Sequence, residues 1–203
     1  MRFGVLISGG GTNLQSIIDG CAAGSIDGEV AIVISNREDA YGLERAKFAG
    51  IPAIFIDPRA CDGADDYNHR VREALELESV ECVVMAGYMK LLGSEVLEAW
   101  PMRVVNIHPA LLPSFAGAHG IGDAFEYGVK VTGVTVHFAS EVFDKGPIIA
   151  QEAVEVLEDD TLESLETRIH DVEHRLYPAA LAALADGRVT VSGRKVRVAP
   201  VRR

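Results

Sequence analysis

Short apolar runs rich in valine and isoleucine recur through the first half of the chain. Each run is followed by glycine or polar residues, and within it the apolar positions are nearly continuous rather than alternating. That pattern is typical of strands buried on both faces of a parallel sheet. The predicted strands are RFGVLI (2–7), EVAIVIS (29–35), PAIFI (52–56), ECVVMA (81–86) and RVVNI (103–107).

Helical patterns lie between these strands, with Asn13 and Asp39 near the starts of two of them. Asparagine and aspartate are favoured at helix starts. A chain in which strand and helix alternate predicts an α/β fold with a doubly wound, mostly parallel, Rossmann-like sheet. The predicted helices cover residues 12–22, 39–49, 65–78 and 94–99.

The pattern changes after the fifth strand, where a loop rich in proline and glycine spans 108–122. A short helix is predicted at about 122–128, followed by longer strands at 129–140 and 146–156. These strands are no longer separated by full helices. They predict a second part of the chain with a different connectivity from the first.

A long helix is predicted at 160–184, with Asp160 or Thr161 as its cap. The tail VTVSGRKVRV (189–198) alternates apolar and polar residues and predicts a hairpin around Ser192-Gly193. The fold is therefore expected to end in a carboxyl-terminal antiparallel extension.

Composition narrows the class of protein. The 203 residues are 48% apolar and 24% charged, as in ordinary soluble globular domains. The net charge of −11 argues against binding to nucleic acid or to an anionic membrane, so an anionic substrate would need locally supplied positive charge. The three cysteines lack metal-site spacing, and the apolar amino-terminal stretch is too short for a signal peptide or membrane span. We therefore predict a cytoplasmic protein with free thiols.

A glycine-rich turn, within ISGGGTNLQSII (7–18), follows the first strand and opens the first helix. Backbone N–H groups of such a turn can converge on an anion, and Ser8, Thr12 and Asn13 could add side-chain donors. Leu14 occupies the third-glycine position of a dinucleotide motif, and the GK[ST] of a nucleoside-triphosphate loop is absent. The turn therefore favours a phosphate monoester, with a plain tight turn as the alternative.

Asn106 and His108 lie two residues apart at the carboxyl end of the fifth strand, so their side chains point the same way. Open α/β sheets bind ligands beyond this end of their strands. An amide donor and a protonatable imidazole suit the oxyanion of acyl transfer through a tetrahedral intermediate. A carboxylate is needed to orient or charge the imidazole, and Asp144 is the first candidate, with Glu141 as the nearest alternative.

Other histidines leave alternatives open. His108 could be a satisfied core histidine, His137 could be either structural or functional, and His119 could border the crevice. The sequence contains no GxSxG, HExxH or CxxC motif, so a serine nucleophile and zinc chemistry have no support.

Five segments, in this order, together resemble the phosphoribosylglycinamide formyltransferases, a family of folate-dependent enzymes of purine synthesis. HPALLPSF and the later DxGP are shared by the wider family that uses formyltetrahydrofolate. SGGGTN and EHxLYP point to the glycinamide ribonucleotide branch. The five segments are SGGGTNLQ, NIHPALLPSF, TGVTVHF, DKGPIIAQ and EHRLYPAAL.

The resemblance implies a Rossmann-like formyltransferase fold. It implies transfer of the formyl group of the co-substrate 10-formyltetrahydrofolate to the amine of 5'-phosphoribosylglycinamide, without a metal. The implied catalytic residues are Asn106, His108 and Asp144. The implied phosphoribosylglycinamide site consists of Gly11, Thr12, Asn13, His170 and Glu173. The implied folate site consists of Met89, Lys90, Leu91, Leu92, Asn106, Ser140, Glu141, Val142, Phe143 and Asp144.

The chain departs from its relatives at two positions of the folate site. Relatives often carry arginine where this chain has Lys90, which keeps the charge but loses the bidentate fork. Ala64 stands near a position where many have a basic residue, so no side-chain contact from Ala64 to the glutamate tail of the folate is expected.

We expect one domain over 1–203, made of a Rossmann-like phosphate-binding half (1–107), a folate and catalytic half (108–188) and a hairpin tail (189–203). Its partners are expected to be small molecules, with no nucleic acid or membrane, and its oligomeric state is open. Two other enzymes that use formyltetrahydrofolate are the closest alternatives. Methionyl-tRNA formyltransferase would be expected to have a further tRNA-binding domain, and formyltetrahydrofolate hydrolase an amino-terminal regulatory domain. A non-catalytic sensor of phosphate ligands would explain the glycine turn but not the Asn–His–Asp set.

Overall fold

The computed structural model describes residues 1–201. Strands and helices alternate through the first part of the chain, and a short 3-10 turn at Pro58–Ala60 follows the third strand. Strands β1 to β5 are Arg2–Ile7, Glu29–Ser35, Ala53–Phe55, Cys82–Met85 and Val104–His108. Helices α1 to α4 are Thr12–Ala22, Tyr41–Phe48, Gly63–Leu77 and Ser94–Ala99.

The remaining elements follow a different order, as predicted. A helix precedes two strands, a long helix follows them, and two short strands end the described chain. They are α5 (Gly120–Tyr127), β6 (Val131–Phe138), β7 (Ile148–Glu155), α6 (Leu162–Ala185), β8 (Val189–Ser192) and β9 (Lys195–Val198).

The described strands form a seven-stranded sheet with the order β3-β2-β1-β4-β5-β6-β7 and a separate sheet of β8 and β9. β1 pairs in parallel with β2 and β4, β2 with β3, and β4 with β5, whereas β6 and β7 are antiparallel. The predicted fold, mostly parallel and doubly wound with an antiparallel extension, is confirmed. The strand order reverses at β1 and β4, which is where such sheets bind ligands beyond their carboxyl ends.

Apolar periodicity explains how the first helices pack. α1 buries Leu14 and Ile17 and packs on β2, while α3 buries Tyr67, Val71 and Leu75 at four-residue intervals. All five side chains are at most 2% exposed. Burial of such side chains stabilises the folded state by roughly 1.5–3 kcal/mol each.

Three helices begin later or earlier than predicted, and α3 is one of them, beginning at Gly63 rather than at 65. α2 begins at Tyr41, because Ala40 is still extended, and the Asp39 carboxylate accepts hydrogen bonds from Arg37 instead of capping the helix. α5 begins at Gly120 rather than near 122, so the preceding loop is shorter. Helix ends depend on such local pairing, which apolar periodicity does not report.

The long helix α6 begins as predicted, with Thr161 as its cap. The Thr161 hydroxyl accepts a hydrogen bond from the backbone N–H of Ser164, and the Ser164 hydroxyl accepts one from the N–H of Thr161. Asp160, which precedes the cap, pairs with Arg168 inside α6, and this pairing lowers the pKa of Asp160. Pro178 lies inside α6, where it removes one backbone donor.

The predicted hairpin at the end of the chain is present, with its turn one residue later. Ser192 pairs with Lys195, so the turn consists of Gly193 and Arg194. Gly193 has a φ of 59°, a left-handed conformation that two-residue hairpin turns require. The Arg194 guanidinium donates to the carbonyl of Lys145 at 2.7 Å.

Two compact units divide the chain, one covering residues 1–106 and the other beginning at Ile107. β5 runs across this boundary, so Asn106 and His108 belong to different units although they share a strand. The single domain with three parts that the sequence suggested stays a prediction.

Candidate active site

The glycine turn of the first unit joins β1 to α1. Gly11 is the residue before the helix and has a φ of 70°, a conformation that favours glycine. The carbonyl of Gly9 accepts from the N–H of Gly42 at 3.1 Å, and that of Gly10 accepts from Nε of Arg45 at 2.8 Å. Because C=O and N–H point oppositely in a trans peptide, the N–H groups of Gly10 and Gly11 face away from α2. The turn thus presents backbone donors at the start of a helix.

Arg45 places a positive charge beside the glycine turn. Besides the Gly10 carbonyl, its guanidinium donates to Oε1 of Gln15 at 3.2 Å and lies 5.1 Å from the centroid of the Tyr41 ring. These partners are all neutral, so within the described part of the chain no direct ion pair compensates its charge. Sequence reasoning missed this residue because it lies on the second helix, far from the turn in sequence.

The side chains expected to assist the turn differ in availability. Thr12 is exposed and Asn13 is buried. The hydroxyl of Ser8 is not available, because it donates to Oδ1 of Asn36 at 2.6 Å and accepts from the backbone N–H of Met89 at 2.8 Å. The prediction that Ser8 donates to a bound anion is therefore wrong.

The segment Met89–Leu92 follows β4, and its side chains divide into two groups. Met89 is 67% exposed and Leu91 42% exposed, whereas Leu92 is buried. The ammonium of Lys90 lies 5.1 Å from the centroid of the Tyr67 ring. The segment thus offers accessible apolar surface beside a cation, with Leu92 serving the core.

His108 lies at the end of β5, buried, with both ring nitrogens facing oxygen atoms. Nε2 is 2.8 Å from the carbonyl oxygen of Phe115, and Nδ1 is 3.6 Å from Oδ2 of Asp144. An imidazolium has a donor on each nitrogen, so this environment accommodates the charged ring. Asp144, and not Glu141, is the carboxylate beside His108.

Both acceptors of His108 are held by unusual backbone. Phe115 and Asp144 have φ values of 52° and 55°, a left-handed conformation that costs a residue with a side chain about 1 kcal/mol or more. The backbone N–H of Gly117 donates to Oδ2 of Asp144 at 2.8 Å. The surrounding structure therefore stabilises a loop geometry that the isolated chain would disfavour.

The surroundings of the Asp144 carboxyl favour its charged form. Burial alone would raise its pKa, but hydrogen bonding from His137, the N–H of Gly117 and the nearby His108 ring together lower the pKa below its ordinary value. A buried carboxylate flanked by an imidazole suits the electrostatic control of acyl transfer.

Comparison with known proteins identifies the family. Residues 1–181 match the family described as formyl transferase. The chain belongs to this family. Phosphoribosylglycinamide formyltransferase of Bacillus subtilis (strain 168) is 40% identical over 183 residues, which are 90% of this chain and 94% of that protein. The resemblance recognised in the sequence is thereby confirmed.

A solved structure and a longer relative agree with this. The crystal structure of glycinamide ribonucleotide transformylase 1 from Symbiobacterium toebii has a TM-score of 0.96 and 52% identity, covering 98% of this chain and 93% of that one. The trifunctional purine biosynthetic protein adenosine-3 of Gallus gallus is 42% identical over 191 residues, which are 94% of this chain but only 19% of that protein.

His137 of this formyltransferase is the other ring beside Asp144. It is 1% exposed, with Nδ1 2.8 Å from the carbonyl oxygen of Phe138 and Nε2 3.5 Å from Oδ1 of Asp144. The carboxylate therefore lies between two imidazoles. The sequence left the role of His137 open. The strand pattern that places His137 gave no sign that this side chain would contact Asp144. His119 is exposed and directly precedes α5.

The loop that follows His108 is tied to β6 and β7 by a buried polar network. The hydroxyl of Thr135 donates to the carbonyl of Ala110 at 2.6 Å and accepts from the N–H of Leu112 at 3.1 Å. Nε2 of Gln151 donates to the Leu112 carbonyl at 3.0 Å. Fully bonded buried groups of this kind rigidify the loop that follows His108.

The remaining candidate residues lie on one loop and one helix. In the loop 140–144, the Ser140 hydroxyl donates to the carbonyl of Val142, and the side chains of Val142 and Phe143 are 60% and 50% exposed. On α6, Glu173 is buried and His170 is exposed. The loop thus has exposed apolar side chains.

Within residues 1–201, no group of three or more His, Cys, Asp or Glu side chains could hold a metal ion. The three cysteines are free thiols, and burial raises the pKa of Cys82 to about 12. None of the described helices is long and apolar enough to cross a membrane.

Proposed function

We propose that this formyltransferase transfers the formyl group of 10-formyltetrahydrofolate to the amine of 5'-phosphoribosylglycinamide. The transfer, a step of de novo purine (IMP) biosynthesis, proceeds by direct attack through a tetrahedral intermediate. Phosphoribosylglycinamide formyltransferases among the relatives and a trifunctional purine biosynthetic protein support this reaction. The observation that carries the mechanism is that the buried Asp144 carboxylate lies beside His108. His108 and Asn106 are on the same strand, β5.

The formyl donor is proposed to be a folate, because the family transfers formyl groups and the candidate segments expose apolar surface. Met89, Leu91, Val142 and Phe143 are each at least 42% exposed, so each of the two candidate segments has accessible apolar side chains. A flat pterin ring would bury such surface while backbone groups bind its polar edge.

The phosphoribosyl substrate is proposed to bind with its phosphate at the turn formed by Gly11, Thr12 and Asn13. The backbone donors of the turn and the start of α1 favour an anion. Arg45 adds a positive charge, and the partners of its guanidinium are neutral groups rather than carboxylates. Glu173 and His170 on α6 are proposed to contact the ribose and the edge of this substrate's site.

In the proposed reaction the substrate amine is the nucleophile. Its lone pair forms a bond to the formyl carbon while the carbonyl π electrons move to oxygen, and the nitrogen then loses a proton. N10 of the folate gains a proton as its bond to carbon breaks, which restores the carbonyl. Asn106 and His108 stabilise the oxyanion, and Asp144 orients the charged His108 and relays protons through water.

The test is an assay of tetrahydrofolate release with and without phosphoribosylglycinamide. The proposal expects release only when the amine substrate is present, together with formylated product. Release without the amine would indicate hydrolysis. Binding without turnover of either would indicate a phosphate sensor, and each of these results contradicts the proposal.

Replacing Gly11 with alanine should weaken binding of phosphoribosylglycinamide about tenfold or more, because a Cβ at this left-handed position distorts the phosphate turn. The new Cβ would lie 2.7 Å from Cα of Gly42, so stability should also fall. Calorimetry with each ligand measures the effect, and folate affinity should change far less.

Gly24→Ala is the matched control for that variant. Gly24 has a φ of 71°, and a Cβ there would meet nothing within 4 Å. It should carry similar backbone strain without altering either affinity. Equal loss of both ligands in Gly11→Ala would contradict the phosphate assignment.

Replacing Arg45 with methionine should raise the KM for phosphoribosylglycinamide about tenfold at low ionic strength, since one nearby charge is lost. The difference should shrink as salt screens the interaction. Lys47→Met is the control, because Lys47 is an exposed cation on the same helix, 3.8 Å from Glu44. Similar effects of both substitutions would mean that only overall charge matters.

A further inference from the structure

The hydroxyl of Ser8 joins three segments of the first unit that lie far apart in sequence. Ser8 follows β1 and directly precedes Gly9, the first residue of the glycine turn. Its Oγ donates to Oδ1 of Asn36 at 2.6 Å, and the backbone N–H of Met89 donates to Oγ at 2.8 Å. The residue is only 6% exposed, so water does not compete for these bonds.

These bonds continue the sheet beyond the point where its ladder ends. The last registered pairs of β1 are Leu6 with Met85 on β4 and Ile7 with Ser35 on β2. Past these pairs the segments that follow β1, β2 and β4 leave the sheet as loops. A single side chain, Ser8, then takes over the role that backbone hydrogen bonds have in the strands.

A hydroxyl has one donor and can accept two hydrogen bonds. The donor of Ser8 is used by Asn36, and one acceptor position is used by Met89. This side chain is therefore committed to holding the loops together and does not bind the substrate phosphate itself.

We infer that Ser8 is a positioning residue that sets the spacing between the glycine turn and the segment Met89–Leu92, and thereby the affinity for both substrates. The inference rests on the proposed function, which assigns the turn to the phosphate of phosphoribosylglycinamide and the segment to the folate. One hydroxyl thus serves two binding segments without touching either ligand.

Replacement of Ser8 by alanine leaves the N–H of Met89 and the amide oxygen of Asn36 without this partner. Net contributions of single hydrogen bonds correspond to changes of roughly two- to tenfold in an equilibrium constant. The dissociation constants of both substrates should therefore rise about fivefold. Turnover at saturation should change less, because Asn106, His108 and Asp144 are unaltered.

Ser35→Ala is a matched control in the same unit. Ser35 is fully buried at the end of β2, and its hydroxyl also makes two hydrogen bonds, donating to the carbonyl of Arg37 at 2.7 Å and accepting from its N–H at 3.0 Å. Those bonds are local and reach neither binding segment. The control should lose thermal stability as Ser8→Ala does while keeping both affinities.

The experiment measures binding of phosphoribosylglycinamide and of a folate analogue without a transferable formyl group, by calorimetry, to wild type and both variants. Hydrogen exchange of the Met89 amide gives an independent measurement. Weaker binding of both ligands and faster Met89 exchange, in Ser8→Ala alone, is the expected result.

Three outcomes would overturn the inference. Ser8→Ala could lose stability with both affinities intact, weaken one ligand only, or leave Met89 exchange unchanged. If wild type binds neither ligand, the proposed function itself is wrong, and the inference falls with it.

Discussion

Replacing Asp144 with asparagine should lower turnover on the order of 10²-fold or more, the loss typical of one preorganised electrostatic group. The amide keeps the shape and an oxygen that can accept from the N–H of Gly117, but it removes the charge between His108 and His137. Ground-state binding of both substrates should change much less, because the oxyanion exists only near the transition state. Steady-state kinetics and calorimetry measure the two effects separately.

The pH dependence of this deficit follows from the lowered pKa of Asp144. A carboxyl whose folded pKa lies below about 3.9, its ordinary value, stays charged at neutral and mildly acidic pH. The difference between wild type and Asp144→Asn should therefore persist down to about pH 5 and narrow only where the wild-type carboxyl takes up its proton.

Asp160→Asn is the control for charge removal. Asp160 is a paired carboxylate at the start of α6, bonded to Arg168 and the hydroxyl of Ser164. Its replacement should lower stability but not turnover. If Asp144→Asn kept full turnover, Asp144 would be only a structural carboxylate, and the proposed Asn106–His108–Asp144 set would have to be abandoned.

Much of the fold could be predicted because buried parallel strands have nearly continuous apolar sequences. All five such runs correspond to strands, and α1 and α4 occupy the predicted residues. The errors lie at boundaries. The start of α2 depends on the extended backbone of Ala40, and the turn of the last hairpin depends on the pairing of Ser192 with Lys195.

The candidate site could be predicted only where local geometry is sufficient. Strand alternation places Asn106 and His108 on one side, and a glycine turn before a helix indicates an anion site. The contacts of Arg45, Ser8 and His137 could not be predicted, because each joins segments that are distant in sequence. A periodic pattern carries no information on which loop a given side chain reaches.

Replacing Gly146 with alanine should be the most disruptive single-methyl change near the site. A Cβ at this position would lie 1.6 Å from the carbonyl oxygen of Phe138 and 2.7 Å from its carbonyl carbon, both backbone atoms that cannot rotate away. The backbone must move, which should destabilise the protein by roughly 1–3 kcal/mol. The movement starts two residues from Asp144, whose carboxylate is held by His137 and the N–H of Gly117.

Turnover of Gly146→Ala should fall on the order of 10²-fold even where the variant is fully folded, because a shift of about 1 Å at a positioned group has that cost. Gly122→Ala is the matched control, since its Cβ would meet nothing within 4 Å and it lies within α5. That substitution should raise stability by up to about 1 kcal/mol, as alanine favours helix over glycine. Thermal unfolding and kinetics, measured below the transition of the weaker variant, compare the two. An unchanged melting temperature for Gly146→Ala would mean that β6 and the 140–146 loop are not held as closely as the distances indicate. Full turnover in a destabilised Gly146→Ala would instead mean that turnover does not depend on the exact position of Asp144.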